Sequence, residues 1–160
     1  MYICDASKRK LTRMFDLHGV ANRMPDLVKP MMKTMRACGH TVIICSGPTM
    51  SKIDSELAAL GYSIHHHYDF IVSVVDFLAD NGVKFRYDEK GNPWTDDDTW
   101  FCSKGMIAAK FNVDIVIDDS QEYQQYMPEN DCTSPVIFTN GYCLSNSGFG
   151  ITSEQSTYTH

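Results

Sequence analysis

Asp16 and His18 flank Leu17 at the end of a short apolar segment, and a second acidic pair, Asp118-Asp119, ends another apolar segment late in the chain. Side chains two apart on a strand point the same way, so Asp16 and His18 face one space while Leu17 faces the opposite side. A carboxylate beside an imidazole suits a nucleophile next to a proton carrier. Gly19 lets the chain leave the strand sharply and brings backbone groups close to whatever binds there. Ser46-Gly47 closes a β-branched apolar run, and Lys104 lies in a helical stretch ahead of Asp118. The chemistry-bearing residues thus fall in the order Asp16 with His18, Ser46, Lys104, then Asp118 with Asp119, each at a strand end or a helix start.

The elements that must position them alternate. Thr12 to Phe15 reads as the first strand, and Pro25-Asp26 opens a helix running to about Cys38, with Gly39 as its stop and Pro30 within its early turns. Thr41 to Cys45 has the profile of a strand buried on both faces. Thr49 or Ser51 caps a second helix that reaches Leu60, Tyr62 to His66 reads as a short strand, and Asp69 to Asp80 as a third helix. Val83 to Tyr87 and Pro93 to Thr95, joined by a glycine-bearing turn, predict a β-hairpin. Ser103 to Phe111 reads as a short helix, Asp114 to Ile117 as the strand that delivers Asp118-Asp119, and Pro135 to Thr139 as a last strand. Strands alternating with helices imply an α/β fold, a mainly parallel sheet flanked by helices in three layers.

That order and spacing resemble the haloacid dehalogenase-like hydrolase superfamily, whose phosphatases carry an Asp-x-Asp signature, a Ser or Thr after the second strand, a Lys and then an acidic pair. The resemblance spans about Thr12 to Ser120. It implies a Rossmann-like core with a small cap or none, and a Mg²⁺-dependent phosphatase that hydrolyses a phosphomonoester through an aspartyl-phosphate. Asp16 would be the nucleophile. Asp16, Asp118, Asp119 and the His18 backbone carbonyl would hold Mg²⁺, an ion that prefers carboxylates, substrate phosphate and water. Ser46, Gly47 and Lys104 would bind the phosphoryl group, whose spread charge needs donors and cations; Lys110 is the weaker choice for the cation.

His18 replaces the second aspartate of that signature, the usual general acid and base. Imidazole titrates near neutrality, so it can take both roles. The alternative is a catalytically weakened protein that binds phosphate and metal and turns over poorly.

At 160 residues and 18.1 kDa the chain fits one domain, with a core from about residue 11 to 140 and a Ser/Thr/Gly-rich stretch, 141–160, expected to be poorly ordered. No apolar run is long enough to span a bilayer, and Met1 to Lys10 lacks the apolar core of a signal peptide. The six cysteines form no CxxC pair, and several lie in apolar strands or helices where a free thiol behaves as a small hydrophobe, so a reducing, cytoplasmic setting is expected. A net charge of −6 opposes non-specific wrapping of nucleic acid. Basic residues near Arg9 and Arg23 read as a solvated face or as a rim that attracts an anion.

Neither a phosphate-binding P-loop nor a dinucleotide-binding glycine motif is present. A receiver domain would carry its acidic pair first, not last. His65-His66-His67 cannot all face one ion from an extended strand, and no Cys or His partner lies at ligand spacing, which favours a loop or strand-edge role. The room between Val20 and the second strand excludes a large inserted cap there, so the cleft is expected to be open. It would admit a phosphate on a small molecule such as a nucleotide, on a nucleic acid end, or on a protein side chain. Trp94, Trp100, Tyr87 and Phe101 could offer a stacking surface there.

Overall fold

The structure, a computed structural model, describes residues 9–127, 134–139 and 142–145. In chain order its elements are β1 (Thr12–Phe15), α1 (Pro25–Ala37), β2 (Thr41–Ser46), α2 (Met50–Ala59), β3 (Phe70–Ser73), α3 (Val74–Asp80), β4 (Arg86–Tyr87), β5 (Pro93–Trp94), α4 (Asp97–Lys110), β6 (Ile115–Asp118), β7 (Ser134–Thr139) and β8 (Tyr142–Ser145).

Residues 42–45 of β2 are all fully buried, as expected of a strand covered on both sides. The main sheet runs β3-β2-β1-β6-β7-β8, with every neighbouring pair parallel except β7 and β8. Strand alternation sends Phe15 and Ile44 into one apolar layer with Val28, Met32, Ile53 and Leu57 of α1 and α2. Met14, Ile43 and Cys45 enter the other, with Leu78 of α3 and Ile107 of α4. This is an α/β, Rossmann-like arrangement with the parallel strands between two helical layers. The hairpin forms separately from β4 and β5. No helix among the described residues is long and apolar enough to cross a membrane.

Several expected boundaries move. Tyr62 to His66 is not a strand: His65 takes a left-handed φ of 63°, and Ile64 makes only an isolated bridge to Tyr68. The third strand lies instead in the stretch read as the start of a helix. Asp69 fixes its entry by accepting from Val42 N and from the Arg36 guanidinium, and apolar Phe70, Ile71 and Val72 continue along β2. Helix formation waits for Ser73, whose Oγ caps Asp76 N.

Helix α4 begins at Asp97, not Ser103. Asp96 accepts from Thr99 N, and Asp97 and Asp98 suit the positive helix end, whereas Ser103 is buried inside the helix and donates to Trp100 O.

Strand β8 falls inside the stretch expected to be poorly ordered, where it pairs antiparallel with β7. Residues 1–8, most of the segment read for a leader, and 146–160 lie outside the described residues. Cys45 is buried and free as anticipated, but Cys38 is disulfide-bonded, which departs from the expected free thiols.

Candidate active site

Three neighbouring strands deliver the site at their carboxyl ends. The register Phe15↔Ile117, extended by Asp16 N donating to Ile117 O at 2.8 Å, puts Asp16 beside Asp118. Phe15↔Ile44 puts Ser46 at the adjoining end of β2. From β1 the chain proceeds to β2 and β3 on one side and returns to β6 on the other, and such a reversal opens a crevice outside the carboxyl ends.

Lys104 reaches this crevice from α4. Its Nζ lies 3.0 Å from Asp16 Oδ1 and 2.5 Å from Asp118 Oδ2, and 4.4 Å from the centre of the Tyr123 ring. Burial alone would lower the Lys104 pKa, but the charges of Asp16 and Asp118 hold it well above its ordinary value, so the ammonium stays charged. Burial pushes Asp16 up to about 6 although Lys104 pulls it down, and Asp118 pushes it further up. Asp119 is also raised, by burial and by the charge of Asp118.

Ligand oxygens of Asp16, Asp118 and Asp119 all lie within 4.8 Å of one another, the one cluster of this kind among the described residues. An all-oxygen set of three carboxylates fits a hard divalent cation.

Gly19 makes this packing possible. Its φ is 87°, and a Cβ there would fall 1.9 Å from Asp119 Oδ2, so only glycine leaves the carboxylate room. Asp118 is steadied in turn by Ser120 N, which donates to its Oδ1.

His18 bridges two partners. Its Nδ1 lies 3.0 Å from Ser46 Oγ and its Nε2 2.7 Å from Glu56 Oε2. An ionised carboxylate only accepts, so Nε2 carries the proton toward Glu56 and Nδ1 is the nitrogen that faces the cleft. A nucleophile-type side chain, an imidazole and an orienting carboxylate are thereby joined in one hydrogen-bonded chain.

Asp16, His18, Gly19, Ser46, Gly47, Lys104, Asp118 and Asp119 all line one open cleft of about 330 Å³. The residues first chosen from the sequence for catalysis, phosphate and metal therefore meet in one place. Lys110 does not, since its ammonium lies over the Phe77 and Phe111 rings. His67 accepts from Ser63 N in a turn, in keeping with a loop role for the three histidines.

Glu56 and Tyr123 were not singled out for these roles. Glu56 is one acid among several on α2, and nothing local marks it as the partner of His18. Tyr123 follows β6 in a short 3-10 helix at Gln121–Tyr126, and only the burial of Lys104 beneath its ring gives it meaning. Neither a protein-family model nor a curated protein matches the chain.

Proposed function

We propose that the protein is a Mg²⁺-dependent phosphatase of the haloacid dehalogenase-like type, hydrolysing a phosphomonoester on a small molecule such as a nucleotide, or on a nucleic acid end. The observation that carries the reading is the meeting of Asp16, Asp118, Asp119 and Lys104, three carboxylates and a cation drawn from separate segments of the chain. The order of these residues resembles that superfamily, as does the α/β framework that holds them.

Asp16, Asp118, Asp119 and the His18 backbone carbonyl would hold Mg²⁺, which offsets the negative charge of carboxylate and phosphate when bound. Asp16 attacks phosphorus: an Oδ–P bond forms as the bond to the leaving oxygen breaks, and that oxygen keeps the electron pair of the broken bond and takes the Nδ1 proton of His18, which enters this step as imidazolium with its Nε2–H on Glu56. Water then attacks the phosphoryl group and gives its proton to His18. The Oδ–P bond breaks, which restores the Asp16 carboxylate and frees inorganic phosphate. Lys104 and Ser46 hold phosphoryl oxygens as charge spreads over them. Ser46 must turn from His18 to do so, which frees Nδ1 for the leaving oxygen.

A second reading is favoured by the engagement of both His18 nitrogens, to Ser46 and to Glu56. If substrate does not displace Ser46, the protein binds phosphate and metal and turns over poorly. Phosphate release from phenyl phosphate, with Mg²⁺ or with chelator, separates the two. Mg²⁺-dependent release lost in Asp16→Asn supports the phosphatase. Saturable phosphate or fluoroaluminate binding without release, across nucleotides, sugar phosphates and phospho-oligonucleotides, supports the binding protein.

A further inference from the structure

A second cleft, of about 440 Å³, opens beside the acidic one. The two share His18, Gly47 and Trp100, so they meet where a group leaving the phosphorus would pass. Its volume falls within the range of about 300–1,000 Å³ typical of small-molecule sites.

The wall of this cleft is built from the two tryptophans of the chain. Trp94 comes from β5 and Trp100 from α4, with ring centres 5.3 Å apart and planes 27° from parallel. Trp94 remains 43% exposed, so much of its surface is open to a ligand. The hairpin that carries it is pinned: Asp88 accepts from Lys90 N, Asn92 N and Asn92 Nδ2. At the other end, Trp100 packs against Gly47, where a Cβ would lie 3.2 Å from Cζ2. An indole is therefore seated directly on the turn that follows Ser46. Thr49 and Lys52 supply a hydroxyl and a cation on the remaining side.

We infer that this cleft is the leaving-group subsite and that it takes a planar aromatic ring, stacked on the Trp94–Trp100 pair, from a phosphomonoester whose phosphate occupies the acidic cleft. The inference rests on the phosphoryl reading of that acidic cleft and adds the substrate class. A stacked indole pair has a π-face for any flat ring and little to offer an aliphatic chain, so aromatic phosphates are selected over aliphatic ones. A nucleoside base and a phenolic ring both satisfy this chemistry.

Both tryptophans line this cleft and Trp100 lines the acidic one as well, so tryptophan fluorescence excited beyond the tyrosine band reports on both, and glycerol phosphate gives the part that comes from the phosphate alone. The full chain with Mg²⁺ is titrated with adenosine 5′-monophosphate, phenyl phosphate and glycerol phosphate, and phosphate release is followed in parallel. The expected result is saturable quenching by one or both aromatic phosphates and affinity about tenfold or more above that for glycerol phosphate. Trp94→Ala abolishes that preference and Trp94→Phe restores part of it. Tighter binding of the nucleotide assigns the ring to a nucleoside, and tighter binding of phenyl phosphate to a phenol.

Equal binding of all three phosphates, or a preference that survives Trp94→Ala, overturns the subsite even if phosphate is released. Stacking without any release leaves the subsite standing and removes the phosphatase reading. The two failures are thus distinct.

Discussion

The imidazole of His18 is held by Glu56, with Nε2 and Oε2 2.7 Å apart. Glu56 comes from α2 and His18 follows β1, so two separate segments meet at this contact. Their contact turns Nδ1 toward the cleft, which makes Glu56 a positioning residue in the proposed proton transfers. Replacing His18 by Ala is expected to lower turnover of alkyl phosphates by about 10² to 10⁴. Glu56→Gln should cost less, with kcat falling and KM little changed. Both losses should shrink for nitrophenyl phosphate, whose leaving oxygen needs little help from an acid. Steady-state kinetics on the two substrate types check this; equal losses on both would assign Glu56 a merely structural role.

Gly19→Ala introduces a methyl group into the space of Asp119 at a positive φ. We expect Mg²⁺ affinity to fall about tenfold to a hundredfold, the usual size of a disturbed metal-site support, with a loss of about 1 kcal/mol in stability. Calorimetric titration with Mg²⁺ and a thermal melt in chelator measure the two effects separately.

Acidity and cation binding oppose each other at Asp16. Its carboxyl, ordinarily at 3.8, is raised to about 6, so the folded protein holds that proton more tightly than the unfolded chain. Without a cation, its stabilising contribution is full below 3.8 and is lost as pH rises through about 6. A cation needs the ionised form, so its affinity falls as pH drops through the same region. The rise in melting temperature on adding Mg²⁺ should therefore be larger at pH 7.5 than at pH 5, and Asp16→Asn should remove most of that difference.

Asp69 ties α1 to the sheet through Arg36 and Val42 N. Burial would raise its pKa, but the Arg36 hydrogen bonds and the Val42 N–H outweigh burial and lower it. Its stabilisation is present above the ordinary carboxylate pKa and fades as pH falls below it. Asp69→Ala leaves a guanidinium and a strand N–H without this acceptor and should cost about 2–3 kcal/mol in chemical denaturation at pH 7.

The parallel core was legible because β-branched runs such as Thr41 to Ser46 can be satisfied only by burial on both faces. The acidic cluster was legible because strand ends fix where Asp16, Ser46 and Asp118 emerge. Strand β3 was missed because Phe70 to Ser73 runs directly into α3, so apolar residues continue without a break across two elements. The start of α4 was missed because Asp96 to Asp98 follows the predicted hairpin directly, and Ser103 offers the same kind of capping side chain further on. Glu56 left no local trace, since its partner lies 38 residues away and only the folded sheet joins them.

The most direct test of the central claim is the covalent state of Asp16. Protein mixed with phenyl phosphate and Mg²⁺ is quenched in acid within the first turnover, and the peptide bearing Asp16 is examined by mass spectrometry. The account predicts one phosphoryl group on Asp16, absent in chelator and sensitive to hydroxylamine. Phosphate release that proceeds at full rate in Asp16→Asn, or a phosphoryl group found on Ser46 instead, would contradict it.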